Sequence, residues 1–158
     1  MDKEEIIEKL RLFRGMENRL RILKNSKITI VNDVYNSSPR AVESALESLA
    51  NIDGSRKVAV FADMLELGEN EIQFHEEMGT RVAENKIALL FLFGKLSKSA
   101  QGAAIAAGMP SSAVFWTDDF QQLKMEILSR LKSGDVVLVK GSHSMGMERL
   151  IPFLEGFR

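Results

Sequence analysis

Three short stretches carry residue types able to bind or process a phosphorylated substrate: Asp33-Val34-Tyr35-Asn36-Ser37-Ser38-Pro39, the segment 62–68 with Asp63 and Glu66, and Lys140-Gly141-Ser142-His143. A lysine ammonium is a point charge for phosphate or carboxylate. Gly141 permits close backbone approach, and Ser142 with the amides after it can donate at a helix start. The same three residues also fit a surface lysine, a turn glycine and an N-cap serine. Asp33 suits a ribose hydroxyl, an orienting contact to Tyr35 or Asn36, or an Asx turn that only closes the loop. Tyr35 suits base stacking or rim packing, and Asn36 an adenine edge or an awkward turn. Asp63 suits a metal-bound nucleotide or a substrate amine, and Glu66 a local salt bridge.

Other candidates are weaker. His75 falls on a mostly apolar helix face, which points to a structural role. His143 is better placed, yet no nucleophile elbow precedes Ser142 and no triad can be assigned. Gly94-Lys95-Leu96-Ser97 lacks the Gly-x-x-x-x-Gly-Lys-Ser/Thr frame of a phosphate loop, and no Gly-x-Gly-x-x-Gly fingerprint is present.

The elements that must position these groups are legible from periodicity. Segments 18–23 and 28–32 predict a hairpin at one sheet edge. Runs at 57–61, 87–93, 113–116 and 136–139 predict further strands, the second nearly continuous in apolar character and so suited to a parallel strand covered on both faces. Helical patterns lie between them. Ser38 with Pro39 predicts one helix start, Asn70 to Gln73 a capping-box variant, and Thr117 or Asp118 the cap of another. The alanines at 100, 103, 104 and 107 predict a close helix–sheet approach, and Pro152 a restart or kink near the end. The order predicts one α/β domain, a three-layer α-β-α sandwich with a Rossmann-like, mostly parallel sheet of about six strands and one antiparallel edge strand. In such a sheet ligands gather at the carboxyl ends of the strands, where Asp33, Asp63 and Lys140 all fall.

Composition narrows the function classes. The chain has 158 residues, 45% hydrophobic and 27% charged, which fits one globular domain with a real core. Its formal charge of −1 argues against an extended nucleic-acid footprint. Without cysteine, disulfides and thiolate chemistry are excluded. No apolar run approaches the roughly 20 residues that span a bilayer, and the acidic opening is unlike a signal peptide; a cytoplasmic location is expected.

Taken together, Asp33-Val34-Tyr35-Asn36-Ser37-Ser38-Pro39, Ala62-Asp63-Met64-Leu65-Glu66-Leu67-Gly68 and Val139-Lys140-Gly141-Ser142 with Met147-Glu148 resemble three motifs of the C-terminal domain of the Mur ligases, in the same order. The likeness covers the chain from about residue 18 onward and points to the branch that adds D-alanyl-D-alanine to a UDP-N-acetylmuramoyl-tripeptide. It implies an enzyme with an N-terminal UDP-substrate domain, a central ATPase and this domain. ATP and Mg2+ would activate the peptide carboxylate as an acyl phosphate, and the dipeptide amine would displace phosphate. The resemblance implies catalytic roles for Lys140 and Arg19, nucleotide contacts from Asp33, Tyr35 and Asn36, and substrate contacts from Asp63, Ser142 and His143.

Some positions depart from the family pattern: Asn18 for glycine, Asn32 for an acidic residue, Ser38 for asparagine, Ala62 for glycine and His143 for arginine. Residues 1–17 are expected to form a helix and linker from an upstream domain, and 18–158 the domain itself. The ATPase phosphate loop and its metal-binding carboxylates are missing, so no metal ligand is expected here and the chain alone is expected to be inactive. The competing expectations are a stand-alone nucleotide- or metabolite-binding module, or a different Mur-type amide ligase. A stand-alone hydrolase lacks an identifiable nucleophile–base pair.

Overall fold

β-Branched and leucine-rich runs of four to seven residues build one six-stranded sheet in the computed structural model, which describes residues 19–158. The strands are β1 (Arg21–Lys24), β2 (Thr29–Asp33), β3 (Arg56–Ala62), β4 (Leu89–Phe93), β5 (Val114–Thr117) and β6 (Asp135–Lys140). Their spatial order is β1-β2-β6-β3-β4-β5, with β1 antiparallel to β2 and every other pairing parallel. Among the described residues the α-helices are α1 (Pro39–Ala50), α2 (Glu71–Glu84), α3 (Lys98–Ala106), α4 (Phe120–Arg130) and α5 (Ile151–Glu155). The expected helix and linker at 1–17, and Asn18, lie outside the described residues.

The continuous apolar runs are explained by two cores, one on each face. Ala59, Phe61, Val136 and Leu138 pack with Val42, Leu46 and Leu49 of α1, Met78 and Val82 of α2, and Ala100 and Ala104 of α3. Val58, Val60, Val137 and Val139 pack on the other face with Leu123 and Ile127 of α4 and Ile151 and Leu154 of α5. Successive residues of a strand point to opposite faces, so a strand covered on both sides must be apolar throughout. The same alternation decides the site. Lys140 follows Val136 and Leu138 in phase, Asp33 follows Val31 in phase, and Asp33 stands directly opposite Lys140 in the β2–β6 register. Both therefore face the α1 side of the sheet.

Several boundaries differ from expectation for local reasons. The first strand begins at Arg21 because Leu20 turns through a left-handed φ of 45°. Asp119, and neither Thr117 nor Asp118, caps α4: its carboxylate accepts from the amides of Gln121 and Gln122, while Thr117 Oγ1 accepts from the Asp119 amide. Asn70 makes no side-chain cap; the turn Gly68–Asn70 winds directly into α2. The small face of α3 meets a helix as well as the sheet. Gly79 of α2 lies so close to the Ala100 carbonyl that a Cβ there would sit 2.2 Å from it.

Candidate functional site

Parallel strands deliver the three motif stretches to one edge of the sheet. There the Lys140 ammonium is only 2% exposed and donates to Asp33 Oδ2 at 2.7 Å and to the Asn36 carbonyl at 2.8 Å. Removing an ammonium from water costs several kcal/mol unless a charge and hydrogen bonds compensate, and both are present. Asp33 Oδ1 accepts from the Leu20 amide at 3.2 Å. Asp33 thus joins the start of the domain to the end of β6 and, through Lys140, to its own following loop. The ion pair with Lys140 lies outside the alternatives that the sequence leaves open for Asp33, and through Lys140 it ties down the loop that carries Asn36.

The loop lifts Tyr35 to the surface, where it is 48% exposed. The Arg19 guanidinium lies over its ring at 4.1 Å, a cation–π contact. The His143 ring is tilted by 45° to the Tyr35 ring, with centroids 6.4 Å apart. Two clefts share Tyr35 and Asn36 as a dividing wall. The first, about 440 Å³, is lined by Arg19, Asp33, Lys140 and the serines at 37, 38 and 44, the α1 end included. Ser38 Oγ accepts from the Ala41 amide, and Pro39 opens α1 as its sequence predicts. The second cleft, about 360 Å³, is lined by Leu65, Glu66, Ser142, His143 and Ser144.

Asp63 sits at the same edge but is engaged internally. Its carboxylate accepts from the amides of Leu96 at 3.2 Å and Ser97 at 2.7 Å, at the start of α3. A carboxylate at a helix N-terminus is favourable because the first turn leaves amides unpaired. Gly94 permits this: a Cβ there would meet the Asp63 carboxylate at 2.5 Å, and its φ is +111°. Gly141 has a similar role. Its close approach is to Ala62, 2.7 Å from an added Cβ, within the domain's own packing. The Ser142 hydroxyl accepts from the Leu65 amide at 2.9 Å, and the Ser142 amide donates to the Asp63 carbonyl at 3.1 Å.

His75 is fully buried, and its partners fix its tautomer. Nε2 accepts from the Met64 amide at 2.9 Å, so Nδ1 carries the proton and donates to the Glu71 carbonyl at 2.6 Å. It pins the loop after β3. Glu66, left as a local ion-pair former by the sequence, instead lines the second cleft. Its φ of 62° was not legible in a stretch without a glycine at that point. Among the described residues, no three His, Cys, Asp or Glu side chains gather to hold a metal ion.

A family model described as "Mur ligase, glutamate ligase domain" matches residues 18–143. The chain belongs to the Mur ligase family. It is the family's C-terminal domain, and its relatives include UDP-N-acetylmuramoyl-tripeptide--D-alanyl-D-alanine ligases. The Bacillus subtilis enzyme of that name is 33% identical over 139 residues, 84% of this chain and 29% of that protein. The Buchnera aphidicola enzyme is also 33% identical, over 86% of this chain and 28% of its own length. The chain thus spans less than a third of the curated relatives it matches. Among solved structures, a MurF ligase from Thermotoga maritima in complex with ADP superposes with a TM-score of 0.75 at 29% identity, over 90% of this chain and 31% of that one. A MurF from Acinetobacter baumannii, 24% identical, shares the fold with a TM-score of 0.81, over 98% of this chain and 34% of that one.

Proposed function

We propose that this Mur ligase domain completes the active site of a larger cytoplasmic ATP-dependent amide ligase. That enzyme joins D-alanyl-D-alanine to a UDP-N-acetylmuramoyl-tripeptide in peptidoglycan precursor synthesis. The observation that carries the reading is the Asp33–Lys140 pair at the carboxyl edge of the sheet, flanked by two open clefts. The names of the B. subtilis and B. aphidicola relatives, and the ADP complex of the T. maritima ligase, support it.

In this reading the first cleft receives nucleotide. An ammonium has three donors; two go to Asp33 and Asn36, and the third serves a phosphate oxygen. Arg19 leaves the Tyr35 face to meet phosphate as the domains close. Tyr35 and Asn36 then border the nucleoside, and Asp33 acts by holding Lys140 and the Leu20 amide. His143 and Ser142 serve the incoming dipeptide in the second cleft, and Asp63 supports that cleft through the Ser142 amide. Catalysis consists mainly of alignment, because the amine and the activated carboxyl must be held in near-attack geometry. Mg2+ and most nucleotide contacts belong to the central ATPase domain, and the UDP moiety to the N-terminal domain; neither nucleic acid nor a membrane is a partner.

Phosphate release by the full-length protein tests this. It should require ATP, Mg2+, UDP-N-acetylmuramoyl-tripeptide and D-alanyl-D-alanine together, and the 158-residue chain alone should give none. Release that needs a different amine would replace the dipeptide assignment, and no release with any amine would reject the ligase reading.

A further inference from the structure

We propose that Glu66 recognises the ammonium group of the incoming amine, and that Ser142 positions Glu66 through the Leu65 amide. This inference rests on the ligase reading above and adds the group that selects the acceptor.

Glu66 is the one carboxylate among the residues lining the second cleft, which it shares with Ser142, His143 and Ser144. Asp63, the acidic residue of the same motif, is buried and spends both oxygens on the amides of Leu96 and Ser97. Glu66 is exposed, so its carboxylate is open to a ligand. Its backbone supplies an independent argument. At φ 62° it occupies the left-handed region, which glycine adopts freely and residues with a Cβ adopt at a cost. Leu20 and Lys86 share that conformation, but Leu20 turns the chain into β1 and Lys86 terminates α2, where its amide donates to Ala83 O and the next amide to Val82 O. Glu66 follows a strand and ends no helix. A strained residue held by its surroundings points toward function.

The holding contacts are visible. Ser142 Oγ accepts from the Leu65 amide, and the Ser142 amide donates to the Asp63 carbonyl, so the ends of β3 and β6 fix the turn from both sides. A free dipeptide carries an ammonium at one end and a carboxylate at the other. An ammonium–carboxylate hydrogen bond is among the stronger kinds, and His143, Ser144 and Asn36 line the same cleft and offer polar groups for the other end.

The test is steady-state kinetics of the full-length ligase. Glu66→Gln should raise KM for the amine acceptor at least ten-fold, with KM for ATP and for the UDP-linked peptide within two-fold of wild type. Glu66→Asp should recover part of the loss. Glu66→Gly should show the same acceptor defect while raising the melting temperature, which separates lost recognition from lost folding. Ser142→Ala should raise acceptor KM and lower kcat together, and Ser142→Thr should restore both. N-acetyl-D-alanyl-D-alanine, which has no ammonium, should inhibit wild type and Glu66→Gln equally. An unchanged acceptor KM in Glu66→Gln would overturn the inference while leaving the ligase reading intact. Should wild type use a different amine, the dipeptide assignment falls and Glu66 is judged on that amine's KM. Turnover of no amine would remove both.

Discussion

Lys140 and Asp33 show how a buried charge is compensated within the fold. Each is the other's main compensation, and each also bonds backbone at a separate segment: Asn36 for Lys140, Leu20 for Asp33. Breaking such a pair from one side strands a charge, whereas replacing both partners by uncharged groups of similar size is often nearly neutral. Lys140→Met should therefore destabilise the chain by about 3–5 kcal/mol, measured by urea denaturation. Asp33→Asn combined with Lys140→Met should recover most of that stability. If the pair were only structural, the double variant would also recover ligase activity in the full-length protein; the account predicts that it does not.

At the scale of elements, the loops after β3, β4 and β6 form one stitched unit. Asp63 caps α3 from a neighbouring strand, Ser142 ties the β6 end to Leu65, and His75 of α2 holds Met64. Gly94→Ala should show how tightly the unit is built. The new methyl would sit 2.5 Å from the Asp63 carboxylate at a φ of +111°, so a loss of about 2–4 kcal/mol is expected from combined strain and a displaced cap. Thermal unfolding of the variant checks this, and a loss under 1 kcal/mol would mean that Asp63 has slack. Much of this level was legible in sequence. The apolar run 136–139 placed Lys140 at a strand end, and Ser38-Pro39 announced α1 correctly. The Asp63 cap was not legible, because its amides lie 33 and 34 residues further on and become neighbours only once β3 pairs with β4. The α4 cap was missed because three adjacent residues, Thr117, Asp118 and Asp119, all suit the position.

Across the whole molecule the two ends of the sheet are built differently. At the amino ends, Arg56 forks onto the buried Asp135 with bonds of 2.8 and 2.7 Å. That hydrogen bond raises the Arg56 guanidinium above its ordinary value, against the opposing effect of burial. The Ser55 amide donates to Gly134 O and the Gly134 amide to Lys27 O, which closes that edge with internal contacts. The carboxyl ends instead carry the exposed Tyr35 and Glu66 and the two open clefts. The central claim is that this edge closes on the rest of a ligase. Amide hydrogen exchange of the full-length protein tests it most directly, with and without ATP–Mg2+, UDP-N-acetylmuramoyl-tripeptide and D-alanyl-D-alanine. The account predicts slower exchange at residues 33–38, 64–68 and 142–145 when the substrates are present, with no change at 54–56 and 132–135. Protection at the amino-terminal edge, or none at the carboxyl edge, would contradict it.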